Sequence, residues 1–91
     1  MNFAEIKKKI KQKDYLVSEH ADEKRTKDKL SIEEIEITII SGEVIEERLD
    51  DPRGESRLIA GKTSHNKWVH SVVGVKFGRL VLVTVYLPSE R

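Results

Sequence analysis

The feature that most constrains the fold is a long apolar run over residues 68–88. It is rich in β-branched residues, and Phe77-Gly78 at its middle suits a tight turn. The pattern predicts a β-hairpin with strands over about residues 67–76 and 79–87. Because both strands are apolar on both faces, we expect them to be central in a sheet and covered rather than half-exposed to solvent.

Two further strands are predicted upstream of this hairpin, over about residues 43–49 and 56–63. Between them, residues 50–54 are dense in Asp, Pro and Gly, which indicates a sharp reversal of the chain. The four strands therefore predict an antiparallel meander. Charged residues in the first of them suit an edge strand protected against further pairing.

Three helices are predicted before the strands, over about residues 3–12, 19–29 and 32–41. Asn2 and Ser31 are each followed three residues later by Glu, as in a capping box, and Ser18 can cap the second helix. Residues 34–39 also alternate as a strand would, but Ser31 before them and Gly42 after them favour a helix.

This order of elements predicts one α+β domain over residues 1–91, with the N-terminal helices packed on one face of the four-stranded antiparallel sheet. Residues 89–91 are expected to form a loose tail. The second helix is unusual because Ala21 is its only apolar residue. Either it is a solvated surface helix, or its polar side chains are directed towards a site.

Composition narrows the function classes. The chain has no cysteine, which excludes disulfides and thiolate chemistry and fits a cytoplasmic protein. Lys76 and Arg79 interrupt the apolar run, so no unbroken apolar stretch approaches the ~20 residues of a membrane span, and no membrane role is expected. Charge is segregated along the chain. Residues 1–30 contain nine Lys/Arg and six Asp/Glu, residues 31–55 contain two Lys/Arg and nine Asp/Glu, and residues 56–91 contain six Lys/Arg and one Asp/Glu. The basic blocks could bind an anionic ligand, or the acidic block could simply neutralise them.

Three residues are candidates for acid–base chemistry: His20 in the polar helix, His70 in a strand and Tyr86 at the end of the last strand. A strand histidine such as His70 is more often structural, and a rim tyrosine often only caps the core. With a turn at Phe77-Gly78, Val85 is predicted to lie opposite His70. The histidine spacing matches no metal-ligand pattern, so neither a metal site nor a cofactor is predicted.

Two cations are candidates for holding a phosphate, Lys24 in the polar helix and Arg57 in a strand. Arg57 and Lys62 are an odd number of residues apart along the same strand. They are therefore expected on opposite faces of the sheet, so that only one of them can face a given groove.

Several short segments resemble a small prokaryotic family, domain of unknown function four-two-five-eight. They are Ser18-Glu19-His20-Ala21, Glu23-Lys24, Leu30-Ser31, Ser41-Gly42-Glu43-Val44-Ile45-Glu46, Asp50-Asp51-Pro52, Leu58-Ile59-Ala60-Gly61, His70-Ser71-Val72-Val73 and Thr84-Val85-Tyr86-Leu87-Pro88. The family is loosely grouped with RelE/BrnT-type toxins of toxin–antitoxin modules. This resemblance implies a RelE/BrnT-like fold, RNA approaching the open face of the sheet, and a site at His20, His70 and Tyr86.

Two hypotheses of function follow. In the first, the protein is a toxin-like, metal-independent endoribonuclease, with His20, His70 and Tyr86 at the reacting groups and Lys24 or Arg57 on the phosphate. In the second, it is a non-catalytic binding module whose acidic edge strand takes a cognate antitoxin or a second copy of the chain, and the histidines are structural.

Overall fold

Three helices and five strands follow one another in residues 1–88, the part of the chain that this computed structural model describes. They are α1 (Phe3–Lys11), β1 (Leu16–Val17), α2 (Glu19–Lys27), α3 (Ile32–Ile40), β2 (Glu43–Arg48), β3 (Ser56–Lys62), β4 (Trp68–Lys76) and β5 (Arg79–Tyr86). The tail expected at residues 89–91 lies outside the described residues. The molecule is a mixed α+β fold, as predicted.

The sheet has five strands in the order β1-β5-β4-β3-β2, so the prediction of four was wrong. The additional strand is β1, whose Leu16 and Val17 pair in parallel with Val81 and Leu82 of β5. Strands β2 to β5 form the predicted antiparallel meander. A two-residue strand has no periodicity of its own, and its partner lies far along the chain, so local patterns do not reveal it.

The helix ends follow the capping residues. The side chains of Asn2 and Ser31 accept hydrogen bonds from the N–H groups of Glu5 (2.8 Å) and Glu34 (3.1 Å), and Ser18 accepts one from Ala21 (3.0 Å). Helices α1 and α2 both end in Schellman-type hydrogen bonds. Lys13 after α1 and Lys29 after α2 adopt the left-handed conformation, with φ values of 60° and 56°, at the position where glycine is usual.

All three helices contribute to one side of the sheet, here called the covered face. There the strands present their buried side chains: Ile59, Val69, Ser71, Val73, Leu80, Leu82 and Val85. The helices add Ile6, Ile10, Ala21, Ile35 and Ile39. Helix α2 lies against β5 and buries only Ala21, which explains how so polar a segment is held.

The opposite side, here called the open face, is not covered by a helix among residues 1–88. Along β4, Val69, Ser71 and Val73 are buried, while His70 and Val72 between them are only half-buried. The expectation that the hairpin would be covered on both faces is therefore wrong. The β-branched residues on its open face are shielded by neighbouring strands rather than by a second layer.

Two glycines allow α3 to approach the sheet closely. A Cβ atom at Gly61 of β3 would overlap the backbone carbonyl of Thr38, and one at Gly42 would overlap the carbonyl oxygens of Thr38 and Ala60. Gly42 follows the helix as predicted, but it does not adopt a positive φ. Its small size, and not the left-handed conformation, is what this position requires.

Candidate functional site

A histidine and a tyrosine meet at one end of the open face. His70 of β4 and Tyr86 of β5 are directly paired across the two strands, and both are half-buried. The His70 Nδ1 atom lies 3.2 Å from the Tyr86 hydroxyl, within hydrogen-bond distance. The ring centroids are 5.2 Å apart in an edge-on arrangement, with 66° between the ring planes. Each ring therefore orients the other.

A β-bulge creates this pair. Near the Phe77-Gly78 turn the register is the one expected, with Val73 opposite Leu82. It then shifts by one residue between Val73 and Val72, so that Val72 pairs with Thr84 and His70 pairs with Tyr86. The prediction that Val85 lies opposite His70 was wrong for this reason. Without the bulge, Tyr86 would not be the direct cross-strand neighbour of His70.

A tryptophan extends the pair along the same face. Trp68 lies two residues before His70 on β4, so its side chain is on the open face, where it is 48% exposed. Lys62 is its cross-strand partner on β3, and the Lys62 Nζ atom lies 5.1 Å from the centroid of the tryptophan ring. We call Trp68, His70 and Tyr86 the ring cluster. The Lys62 ammonium group lies at the Trp68 end of the ring cluster.

Two adjoining hollows run across the open face from the ring cluster. The first, of about 220 Å³, is lined by residues that include Tyr86, Leu58 and Arg48. The second, of about 240 Å³, lies towards the β4–β5 turn and has Arg53 and Lys76 among its lining residues. The hollows share Arg48, Ser56 and Val72, and together we call them the furrow. The Arg48 guanidinium is exposed and lies 2.9 Å from Glu46 Oε1.

Arg57 belongs to the covered face, although some of its atoms line the first hollow. It pairs with Val73 and Glu47, and its side chain is 7% exposed. Its Nε atom donates to Glu47 Oε2 at 2.9 Å, and a second guanidinium nitrogen lies 3.4 Å from Glu55. Its guanidinium is thus engaged by two carboxylates. As predicted from their odd spacing, Lys62 lies on the other face.

Glu55 joins this buried arginine to the N-terminal amine. One oxygen of its carboxylate is 2.8 Å from the Met1 amino group, while the other faces Arg57. The hydrogen bond from the amine, and then the charges of the amine and of Arg57, hold the pKa of Glu55 below its usual 4.5. The cluster compensates the charge of Arg57 within the fold.

His20 and Lys24 lie on α2. The N-terminus of this helix is fixed beside β5, where the Ser18 hydroxyl donates to the Val83 carbonyl oxygen at 2.7 Å. His20 is exposed and Lys24 is half-buried. Within residues 1–88 no hydrogen bond or ion pair joins either of them to His70 or Tyr86. Of the residues predicted for the site, His70 and Tyr86 are joined directly, and Arg57 and Tyr86 line the same hollow.

Metal ligands are not grouped in the described residues. Over residues 1–88 no cluster of three or more His, Asp or Glu side chains is arranged to hold an ion. No helix in that same stretch is long and apolar enough to cross a membrane.

Sequence reasoning missed Trp68 and Arg48, and it gave Lys62 a face of the sheet but no place in the site. The position of Trp68 could have been found, because a residue two before a strand histidine shares its face. Lys62 then follows from its pairing with Trp68. Arg48 could not be assigned in this way, since a bulge between Val44 and Glu46 shifts the register of β2.

The fold and the site define an α+β protein with helices on one face of a five-stranded mixed sheet and a histidine–tyrosine pair on the other. Residues 17–87 match the family model described as Domain of unknown function (DUF4258), and the chain belongs to this family. The resemblance noted from the sequence is confirmed to that extent. No curated protein and no solved structure gives a match, so a relationship to RelE/BrnT toxins gains no support from these comparisons.

Proposed function

We propose that the protein binds single-stranded RNA on its open face and cleaves it without a metal ion, as the toxin-like member of a toxin–antitoxin module of RelE/BrnT type. The single observation that carries this proposal is the contact between His70 Nδ1 and the Tyr86 hydroxyl on the open face. Two groups able to transfer a proton are thereby held side by side at an accessible surface.

The ring cluster supports RNA as the ligand. Proteins recognise unpaired bases by stacking them on aromatic or histidine rings, often on the face of a sheet. Trp68, His70 and Tyr86 offer three rings on adjacent positions of two central strands. Lys62 at one end and Arg48 in the furrow supply cations for the phosphates.

The proposed chemistry is attack of a ribose 2′-hydroxyl on the adjacent phosphorus. The 2′-oxygen forms a bond to phosphorus, the bond from phosphorus to the 5′-oxygen breaks, and a 2′,3′-cyclic phosphate and a 5′-hydroxyl result. His70 accepts the proton from the 2′-hydroxyl, and Tyr86 donates its hydroxyl proton to the leaving 5′-oxygen. Arg48, which lines the same hollow as Tyr86, is placed to stabilise the negative phosphorane.

This assignment changes the roles drawn from the sequence. Arg48 replaces Arg57 on the phosphate because the Arg57 side chain is buried, whereas that of Arg48, which also contacts a carboxylate (Glu46), is exposed. The roles predicted for His20 and Lys24 stay predictions. Both are tested by substitution in the same assay, where a full rate for the His20→Asn or Lys24→Gln variant would exclude that residue from the site.

The test is cleavage of a labelled single-stranded RNA by purified protein in the presence of EDTA. We expect the His70→Asn and Tyr86→Phe variants each to lower the cleavage rate by about 100-fold or more, the usual contribution of a general acid or base. His65→Asn is the matched control, since His65 is exposed in the turn after β3 and should leave the rate unchanged.

A DNA strand of the same sequence should remain intact, because it lacks the attacking 2′-hydroxyl. Intact RNA at micromolar wild-type protein would contradict the proposal. Equal rates for the wild type and the Tyr86→Phe variant would contradict the role of the tyrosine.

A second candidate function is protein binding at the β2 edge, and one observation favours it. Strand β2 is terminal in the sheet, and Ile45 and Leu49 on and after it are 49% and 52% exposed. Such an edge can accept a strand from a cognate antitoxin or from a second copy of this chain. Sedimentation of the wild type and of the Ile45→Lys variant tests the second copy. A dimer that the substitution dissociates would support it, and a monomeric wild type would exclude it.

A further inference from the structure

The turn between β4 and β5 carries a phenylalanine that is not packed against the described residues 1–88. The Phe77 side chain is fully exposed, and its backbone is left-handed, with φ at 51°. Gly78 follows with φ at 75°, so both central residues of the turn have positive φ, as in a type I′ hairpin. Lys76 and Arg79 are cross-strand neighbours in the register of the hairpin, one on each side of the turn, and both are exposed.

Phenylalanine is an unfavourable residue for this position. Bulky side chains rarely adopt positive φ, whereas Asn or Gly at the first position of such a turn does so readily. The ring of Phe77 recovers none of this cost by burial against residues 1–88. A residue that breaks the preference of its turn, with no gain inside the fold, is best explained by a contact with another molecule.

The surroundings of Phe77 indicate what kind of molecule that is. Its chain neighbours are Lys76, Gly78 and Arg79, so the ring is flanked by cations and not by an apolar rim. A protein hot spot needs surrounding contacts that exclude water from it within an interface of many residues. Stacking on a nucleic-acid base needs only one ring and nearby positive charge.

The furrow connects this turn to the ring cluster. Its second hollow is lined by Lys76, at the start of the turn, and by Arg53 and Arg48. Its first hollow is lined by Tyr86. The six residue steps from His70 to Lys76 span about 20 Å at ~3.3 Å per residue. One strand of several nucleotides can therefore contact both ends of the hairpin.

We propose that Phe77 is a second base-stacking site, which holds a base of a single-stranded RNA whose neighbouring nucleotides lie on the ring cluster. This inference rests on the proposed RNA-binding function. Recognition of the RNA then extends along the whole β4–β5 hairpin. Short RNAs occupy the ring cluster alone, and longer RNAs gain affinity from Phe77.

The test compares two single-stranded oligonucleotides, of about 4 and about 12 nucleotides, within the site sizes typical of single-strand binding. Both carry 2′-O-methyl groups, which prevent cleavage. Binding is measured by fluorescence anisotropy for the wild type and for the Phe77→Asn and Phe77→Trp variants. Phe77→Asn suits the turn better than Phe77, so its thermal midpoint should rise, and a loss of binding cannot then be attributed to unfolding.

We expect Phe77→Asn to weaken binding of the long RNA by about tenfold and to leave binding of the short RNA unchanged. Phe77→Trp should retain the wild-type affinity for both. If Phe77→Asn binds both RNAs as the wild type does, the stacking site is refuted, while the RNA binding on which the proposed function depends still stands. If the wild type binds neither RNA, the proposed function fails and this inference fails with it.

Discussion

The two faces of the sheet differ in how closely they are packed and in the side chains that they present. On the covered face, Ile59, Val69 and Val73 are at most 1% exposed, and Gly61 lets the backbone of α3 lie directly on β3. On the open face, β4 and β5 present His70, Tyr86 and a half-exposed Trp68. Close packing therefore holds the fold from one side only.

Stability therefore depends mainly on the covered face, and the proposed function on the open face. A substitution on the covered face leaves a cavity or an overlap in a close-packed interior, whereas one on the open face changes a surface that water already reaches. Among the described strand residues, Arg57 is the one cation on the covered face, and it forms ion pairs with two carboxylates. Residues of the open face can be replaced for binding or chemistry without loss of the core.

The largest effect should come from Gly61→Ala. The new methyl group would overlap the Thr38 carbonyl and push α3 away from β3, and we expect a loss of at least ~3 kcal/mol in the free energy of unfolding. Gly74→Ala is the matched control on the open face. Its methyl group would lie 3.3 Å from the Val83 side chain and 3.4 Å from the Glu55 carbonyl oxygen, contacts that a shift of a few tenths of an ångström relieves, and we expect a change below ~1 kcal/mol. Chemical denaturation measures both, and equal losses would contradict the comparison.

An intermediate effect is expected from two adjacent valines of β4. Val73 is buried on the covered face, and Val72 is half-buried on the open face. We expect Val73→Ala to cost about 2 kcal/mol, because it removes buried methyl groups and leaves a cavity. Val72→Ala should cost less than half as much. A larger loss at Val72 would mean that the open face is covered in solution, for instance by a second copy of the chain.

The smallest effect concerns the carboxylates around Arg57. The pKa of Glu55 is lowered in the folded protein, so its contribution to stability is present above pH 4.5, the usual pKa of the group, and is lost as the pH falls through the lowered value. We expect Glu55→Gln to cost about 1 kcal/mol near neutral pH. The difference from the wild type should disappear in strong acid. Thermal unfolding across this pH range measures it, and a difference that persists in acid would contradict the ion-pair explanation.

Much of the fold could be predicted because its signals are local. The caps at Asn2, Ser18 and Ser31 act within three residues, and they start the helices where the structure has them. Strand β1 could not be predicted, since its two residues gain their strand character only from pairing with Val81 and Leu82.

The candidate site depends on tertiary choices that the sequence does not show. His70 and Tyr86 were recognised as chemically able residues, but their direct pairing needs a bulge in β5, and a bulge shifts the register without a clear local signature. The odd spacing of Arg57 and Lys62 correctly separated their faces. It could not show which of the two faces the helices cover.

The most direct test of the two-face account is an NMR titration of the isotopically labelled protein with a non-cleavable, single-stranded RNA. The account predicts that the side-chain signals of Trp68 and His70 shift with increasing RNA, while methyl signals of the covered face, such as those of Ile59, do not. Shifts confined to α2 and its His20, with the Trp68 indole unaffected, would contradict it and move the binding site to the helical side of the molecule.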